Sequence, residues 1–342
     1  MTDISSLSLS ELEAALLDMG EKKFRAKQIY SWIHKSLVES FDEMTNINKD
    51  LRNKLGESYY ISQPKIIKKL VSKIDGTVKY LFEFFDGNRV ESVLMRYKYG
   101  ISICVSTQAG CNMGCKFCAS TKLGKARDLT AGEILGQIYK AQNDCGERIS
   151  HVVLMGMGEP LDNFENVVRF LNMVSDSDGL NISGRNISLS TCGIVPKIFE
   201  LSELDFKLTL SVSLHAPTDE LRSSMMPINK KYPISALMDA CRSYTKTTGR
   251  RISFEYTLIK GVNDSKEQAE KLCSLLKGML CHVNLIPVNS IKDSEYEKSE
   301  KQSIEAFRSY IESKGISATV RRKLGDDINA ACGQLRRESV NE

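Results

Sequence analysis

Residues 110–121, GCNMGCKFCAST, set Cys111, Cys115 and Cys118 in the spacing Cys-x3-Cys-x2-Cys, and no fourth cysteine follows at a comparable interval. Three soft thiolates on one short segment suit a metal centre, and the missing fourth implies that something else completes the site. Gly110 and Gly114 make the segment a polar loop, so plain core cysteines are a poor reading. A cubane 4Fe–4S cluster would take three thiolates on three irons and leave the fourth iron open to an amine and a carboxylate. A tetrahedral zinc is the rival and needs a fourth ligand, for which His151 and His215 are the histidines in the expected core strands near this loop. The cluster is the favoured reading.

The rest of the chain says where such a loop would sit. At 342 residues with 42% hydrophobic content, the chain is long enough for a large domain plus an accessory one, and it does not read as disordered. The first residues, MTDISSLSLS, lack the blocks of a signal peptide, and no apolar run approaches the ~18 residues of a membrane span. The expectation is a cytoplasmic protein whose ten cysteines serve metal binding, catalysis or burial rather than structural disulfides. Cys145, Cys192, Cys241, Cys273 and Cys281 read as small buried residues. A net charge of +4 permits a polyanionic partner and settles nothing, although basic clusters occur at EKKFRAK, PKIIKK, GRR and VRRK.

Residues 1–60 read as helices, with Leu12, Ala15, Leu16 and Met19 at helical spacing and Phe24, Ile29, Trp32 and Ile33 outlining a second helix. Residues 61–98 turn β-prone, and two Asp-Gly pairs signal hairpins. From 99 to 342 strands and helices alternate. GISICVST leads into the cysteine loop, and Thr130 with Glu133 has the spacing of a capping box for the helix that follows. Repeated βα units imply parallel strands with helices outside, as an open or closed α/β barrel. On that reading the cysteine loop, GMGEP at 156–160, Ser190, residues 213–215 and Asn289 all fall at carboxyl ends of strands, the rim where barrel active sites assemble.

The cysteine pattern, with Phe117 before its last member, resembles the radical S-adenosylmethionine enzymes, which implies a partial (βα)6-type barrel carrying an N-terminal helical accessory domain and a β connector. GMGEP resembles that superfamily's segment for the methionine amino group: Gly156 and Gly158 allow close approach, and Glu159 can accept from an ammonium. STQAGCNMGCKFCAST, MGMGEPLDN, SLSTCGIVP, SVSLHAPTDELRSSMMPIN, HVNLIPVN and GDDINAACGQL together resemble the RlmN/Cfr family of RNA methyltransferases. FRAKQIYSWIHK and SFDEMTN extend the likeness over nearly the whole chain, with Val288 a departure where many relatives carry an aromatic residue.

The resemblance implies methylation of adenine carbon 2 in 23S rRNA and tRNA, a position too electron-poor to attack a sulfonium methyl directly. The Cfr branch methylates carbon 8, and GMGEP and GDDI resemble the former better. It further implies a 4Fe–4S cluster on Cys111, Cys115 and Cys118, and S-adenosylmethionine held by Gly158, Glu159, Ser190, Ser213, Leu214, His215 and Asn289. Cys332 would carry the methyl group, Glu91 would accept the carbon-2 proton, and Cys104 would release the product through a transient disulfide. Electrons would come from a donor such as flavodoxin or ferredoxin. The competing classes are a radical enzyme on a non-RNA substrate, which leaves Cys332 unexplained, and a non-enzymatic iron–sulfur sensor or RNA-binding protein, which leaves GMGEP unexplained.

Overall fold

A computed structural model describes residues 1–289, 296–330 and 334. The N-terminal segment forms three helices, α1 (Leu9–Asp18), α2 (Phe24–His34) and α3 (Lys49–Ser58). Ser8 and Glu11 cap α1 reciprocally, each side chain meeting the other's backbone N–H. In α3 only Leu51 and Leu55 are buried, so its apolar period is faint in the sequence. A two-residue parallel bridge joins Thr2–Asp3 to Tyr59–Tyr60 and closes the segment on itself. Ile4, Leu16, Ile29, Tyr30 and Ile33 are buried in the same apolar core as Ile134 and Leu135 of the body, so the helices are packed on it.

The body is one ten-stranded sheet among the described residues, and its spatial order follows chain order. The strands are β1 (Lys65–Val71), β2 (Val78–Glu83), β3 (Arg89–Tyr97), β4 (Gly100–Cys104), β5 (Ile149–Leu154), β6 (Ile187–Thr191), β7 (Thr209–Ser213), β8 (Ile252–Leu258), β9 (Cys281–Pro287) and β10 (Ala318–Val320). From β1 to β4 neighbours run antiparallel, with the Asp-Gly pairs at 75–76 and 86–87 in the two turns. From β4 to β10 they run parallel. The segment after the N-terminal helices is thus hydrogen-bonded directly into the barrel sheet.

Each parallel step is made by a crossover helix, as the alternation in the sequence requires. These are α4 (Ala131–Cys145), α5 (Phe164–Ser175), α6 (Val195–Ser202), then a short α7 (Asp219–Met225) followed by α8 (Ile234–Thr248), α9 (Lys266–Leu276) and α10 (Lys301–Ser313). Thr130 and Glu133 form the expected capping box at α4, whose Ile134, Leu135 and Ile138 are fully buried. Each such side chain contributes roughly 1.5–3 kcal/mol by leaving water.

Strand register decides which side chains meet. Lys79 lies opposite Val93, Val93 opposite Cys104, and Cys104 opposite Val153. Val153 pairs with Ser188, Ser190 with Ser211, Ser213 with Glu255, and Glu255 with Asn284. Alternation then places Lys79, Glu91, Cys104, Met155, Ser190, Ser213 and Glu255 on one face of the sheet. The two ends of the sheet approach one another beyond that face. In the β1–β2 turn, Asp75 Oδ2 accepts from Gly325 N at 2.9 Å, and Lys73 N donates to Asp327 Oδ2 at 2.9 Å.

Candidate active site

The cysteine loop leaves the carboxyl end of β4. Gly110 has φ +92°, and a Cβ there would stand 1.9 Å from the carbonyl oxygen of Gly124, so only glycine closes the loop. Asn112 Oδ1 accepts from Lys125 N at 2.8 Å, and Thr121 Oγ1 donates to the carbonyls of Cys115 and Cys118 at 3.3 and 3.0 Å. These bonds hold Cys111, Cys115 and Cys118 along the wall of a cavity of about 150 Å³.

Burial pushes the Cys111 thiol up to about 12, and burial also raises Cys115 and Cys118, with the neighbouring thiols adding to the rise at Cys111 and Cys115. Three soft thiols on one short loop are the donor set that an iron–sulfur cluster takes. Among the described residues no set of three or more His, Cys, Asp or Glu side chains is placed to hold a single metal ion. A cubane asks for one thiolate per iron, and the three thiols that line this one cavity supply three. Of the two histidines, His151 stands away from this wall, bonded to Ser150 Oγ at 2.8 Å and set edge-on to the Tyr99 ring.

The same cavity is lined by Glu159, 4% exposed. Its segment is pressed onto the chain leaving β4, where Gly158, at φ +104°, has no room for a Cβ beside Gln108. Glu159 Oε2 accepts from Cys192 N at 2.7 Å and Oε1 from Leu161 N at 3.0 Å. Burial raises the Glu159 carboxyl despite these bonds, and a bound ammonium would offset that rise.

Gly158, Ser190, Ser213, His215 and Asn289 share the same wall. His215, at φ +57°, accepts from Thr257 N through Nδ1 at 2.9 Å and meets the Phe117 ring edge-on. Burial, followed by the nearby Arg222 cation, lowers His215 to about 3, so it is neutral over the working range of pH. Leu214 differs from its neighbours: its side chain is in the core, its N–H donates to the Glu255 carbonyl, and its own carbonyl accepts from Arg222 Nε. Asn289 and Ile286 also border a second cavity of about 480 Å³, rimmed by Lys298, Lys301, Arg321, Arg322 and Lys323.

Glu91 and Cys104 sit on adjacent strands of the inward face, both buried. Lys79 Nζ lies 2.9 Å from Glu91 Oε1 and donates to the Asn329 carbonyl at 3.3 Å. Cys332 lies outside the described residues; Ala330, two positions before it, lines the larger cavity.

Three contributors escaped the sequence reading. Cys192 lines the thiol cavity instead of simply filling core. Glu255 is 6% exposed, its Oε2 accepting from Ser190 Oγ at 3.1 Å and its Oε1 ion-paired with Arg321 Nη1 at 3.6 Å. A lone carboxylate inside the apolar run RISFEYTLI was the available signal. Arg222 is fully buried and donates to the carbonyls of Cys192 (2.7 Å), Ser213 (3.0 Å) and Leu214 (3.1 Å) and to Asn229 Oδ1 (3.0 Å). One guanidinium thereby ties together the loops after β6 and β7.

Barrel, thiol loop and the carboxylate lining the same cavity define a radical S-adenosylmethionine enzyme, and residues 105–273 match the radical SAM superfamily. Residues 2–61 match the N-terminal domain of ribosomal RNA large subunit methyltransferases. A "probable dual-specificity RNA methyltransferase RlmN" of Clostridium novyi is 57% identical over 99% of both chains. One from Lachnospira eligens is 54% identical over 100% of this chain and 98% of its own. The crystal structure of a radical SAM methyltransferase from Sphaerobacter thermophilus superposes with a TM-score of 0.95 at 42% identity, covering 99% of this chain and 100% of that one. The chain belongs to the RlmN family of dual-specificity RNA methyltransferases. Among the described residues no helix is long and apolar enough to cross a membrane.

Proposed function

We propose that this enzyme methylates carbon 2 of adenine in 23S rRNA and tRNA, working at the two neighbouring cavities. Cys111, Cys115 and Cys118 would hold a 4Fe–4S cluster, and Glu159 would receive the ammonium of S-adenosylmethionine. Gly158, Ser190, Ser213, Leu214, His215 and Asn289 surround the remainder of that molecule. When bound, the pair supplies a carbon radical able to add to an electron-poor ring. Cluster reduction is assigned to a small donor protein such as flavodoxin or ferredoxin.

The supporting observation is that Ile286 and Asn289 line both the thiol cavity and the larger one, so the two lie side by side. An extruded adenine needs an apolar slot, and its flanking phosphates need cations at the rim. Met95, Val320 and Leu324 supply apolar lining and Lys298, Lys301 and Arg322 the cations, while Arg321 is paired with Glu255 and Lys323 with Asp326. Glu91, on the same inward face, takes the carbon-2 proton. Cys104, one strand away, is the thiol that releases the product from Cys332, the methyl carrier.

The chain divides accordingly into an RNA-contacting segment 1–60, a β segment 61–98 and a catalytic body 99–342. The deciding experiment is anaerobic reconstitution with methyl-labelled S-adenosylmethionine, a reductant and RNA, followed by mass spectrometry of the digested RNA. 2-Methyladenine is the expected product; 8-methyladenine would move the enzyme to the Cfr branch. Cys332→Ala should abolish methylation with the cluster retained, and Cys104→Ala should trap chain covalently joined to RNA. Methylation by Cys332→Ala overturns the mechanism.

A further inference from the structure

Beside α2 lies a cleft of about 390 Å³, within the size range of small-ligand sites, lined by Lys27, Gln28, Ser31, Trp32, Ser36 and Asn46. Trp32 is the chain's single tryptophan and is half-buried. Its indole N–H donates to Asn46 Oδ1 at 2.6 Å, which fixes the ring's orientation. Arg25 Nη1 donates to Gln28 Oε1 at 2.9 Å and to the Asn46 carbonyl at 3.2 Å, bridging the two sides. Both carboxamides therefore spend their oxygens on the frame, which leaves their amino groups as the ends that can donate to a ligand. Lys27, 64% exposed, stands at the rim and is steadied by Asp178 at 3.1 Å. The cluster EKKFRAK, which no catalytic role absorbs, runs into this same helix.

An oriented indole, two amide donors and one lysine at the rim form a composition suited to one chemical class. A flat heteroaromatic ring stacks on the indole, its ring nitrogens or carbonyl oxygens accept from the amides, and an attached phosphate meets the lysine. An apolar peptide would find too little hydrocarbon here, and a free anion would have no use for the ring. We infer that the cleft between α2 and residues 36–46 holds an unpaired nucleobase of the RNA substrate, stacked on Trp32, away from the base that is methylated. This rests on the RNA reading of the active site and extends it to a second point of attachment. Such an anchor recognises a single-stranded nucleotide by its face and leaves its identity loosely specified.

The lone tryptophan makes the test direct. Emission of the full-length chain is followed during titration with an unmodified tRNA transcript, and separately with a fully paired RNA duplex of similar length. Stacking predicts a loss of emission with tRNA that the duplex does not produce. Trp32→Ala should raise the Kd for tRNA about 5- to 150-fold, the contribution of one stacked base, and Trp32→Phe should fall between. If Trp32→Ala does not fold, the emission of the unaltered chain decides alone. Binding of tRNA with unchanged emission, or an unchanged Kd in Trp32→Ala, overturns the anchor and leaves the RNA reading standing. Failure of the unaltered chain to bind tRNA at all overturns both.

Discussion

Lys79 Nζ and Glu91 Oε1 stand 2.9 Å apart with side chains only 10% and 1% exposed, a diagonal pair on neighbouring strands β2 and β3. Ion pairs so removed from water are poor sources of net stability, yet breaking one is costly because the remaining charge stays buried. Lys79→Met should destabilise the fold by about 3–5 kcal/mol, and adding Glu91→Gln should recover most of that loss. Urea unfolding of the two single variants and the double variant gives the coupling. A Lys79→Met penalty below about 1 kcal/mol would show that the pair is not coupled as the geometry requires.

The three loop thiols carry a second prediction. Protein prepared without oxygen should be brown and hold about four irons per chain, and Ala at Cys111, Cys115 or Cys118 should remove them. Iron and sulfide assays with the visible spectrum decide it. A colourless chain with one tightly held zinc would refute the cluster.

His34 links stability to pH. It lies at the end of α2, fully buried, with Nδ1 2.7 Å from Tyr139 Oη of α4 and no partner for Nε2 among the described residues. Burial lowers it to about 3, so the folded chain keeps it neutral while the unfolded chain protonates it near 6.5. Below that value the unfolded state binds the extra proton, and stability falls with pH at up to ~1.4 kcal/mol per unit until about 3. Above 6.5 the effect is fully relieved. His34→Gln should flatten this part of the stability profile relative to the unaltered chain, as measured by denaturant unfolding across pH 4–7. Parallel profiles would remove His34 as its source.

Arg222 is expected to matter without touching the reacting atoms. Arg222→Met leaves the carbonyls of Cys192, Ser213 and Leu214 short of a buried donor, at roughly 1–3 kcal/mol for each acceptor left unsatisfied. The same loops border the thiol cavity, so affinity for S-adenosylmethionine should fall along with stability. Calorimetric titration of the reconstituted variant measures the first and urea unfolding the second. Unchanged affinity in a folded Arg222→Met chain would separate the guanidinium from the cofactor site.

Local signals in the sequence were reliable where short-range chemistry governs. The capping box at Thr130, the Asp-Gly turns and the βα alternation each depend on a few adjacent residues, and each element formed where the spacing indicated. What escaped was set by partners distant in the chain. α3 shows only two buried apolar positions, too few for a period, and the bridge from Thr2–Asp3 to Tyr59–Tyr60 joins two-residue segments without a pattern of their own. Glu255 and Cys192 draw their meaning from strands and loops that the sequence does not list as neighbours. Leu214 stands with Ser213 and His215 through the family resemblance, and its core-facing side chain leaves its backbone as the part that borders the site.

The contacts between the β1–β2 turn and residues 325–327 join positions 250 or more apart in the chain. The parallel strands lie between those positions, so the turn acts as a gauge for the circumference of the whole barrel mouth. A residue inserted at Ile74, although that side chain faces solvent, would shift the carboxylate and amide that grip the opposite edge. Length variation at that hairpin tip is therefore constrained by the far end of the chain rather than by anything visible in the turn itself.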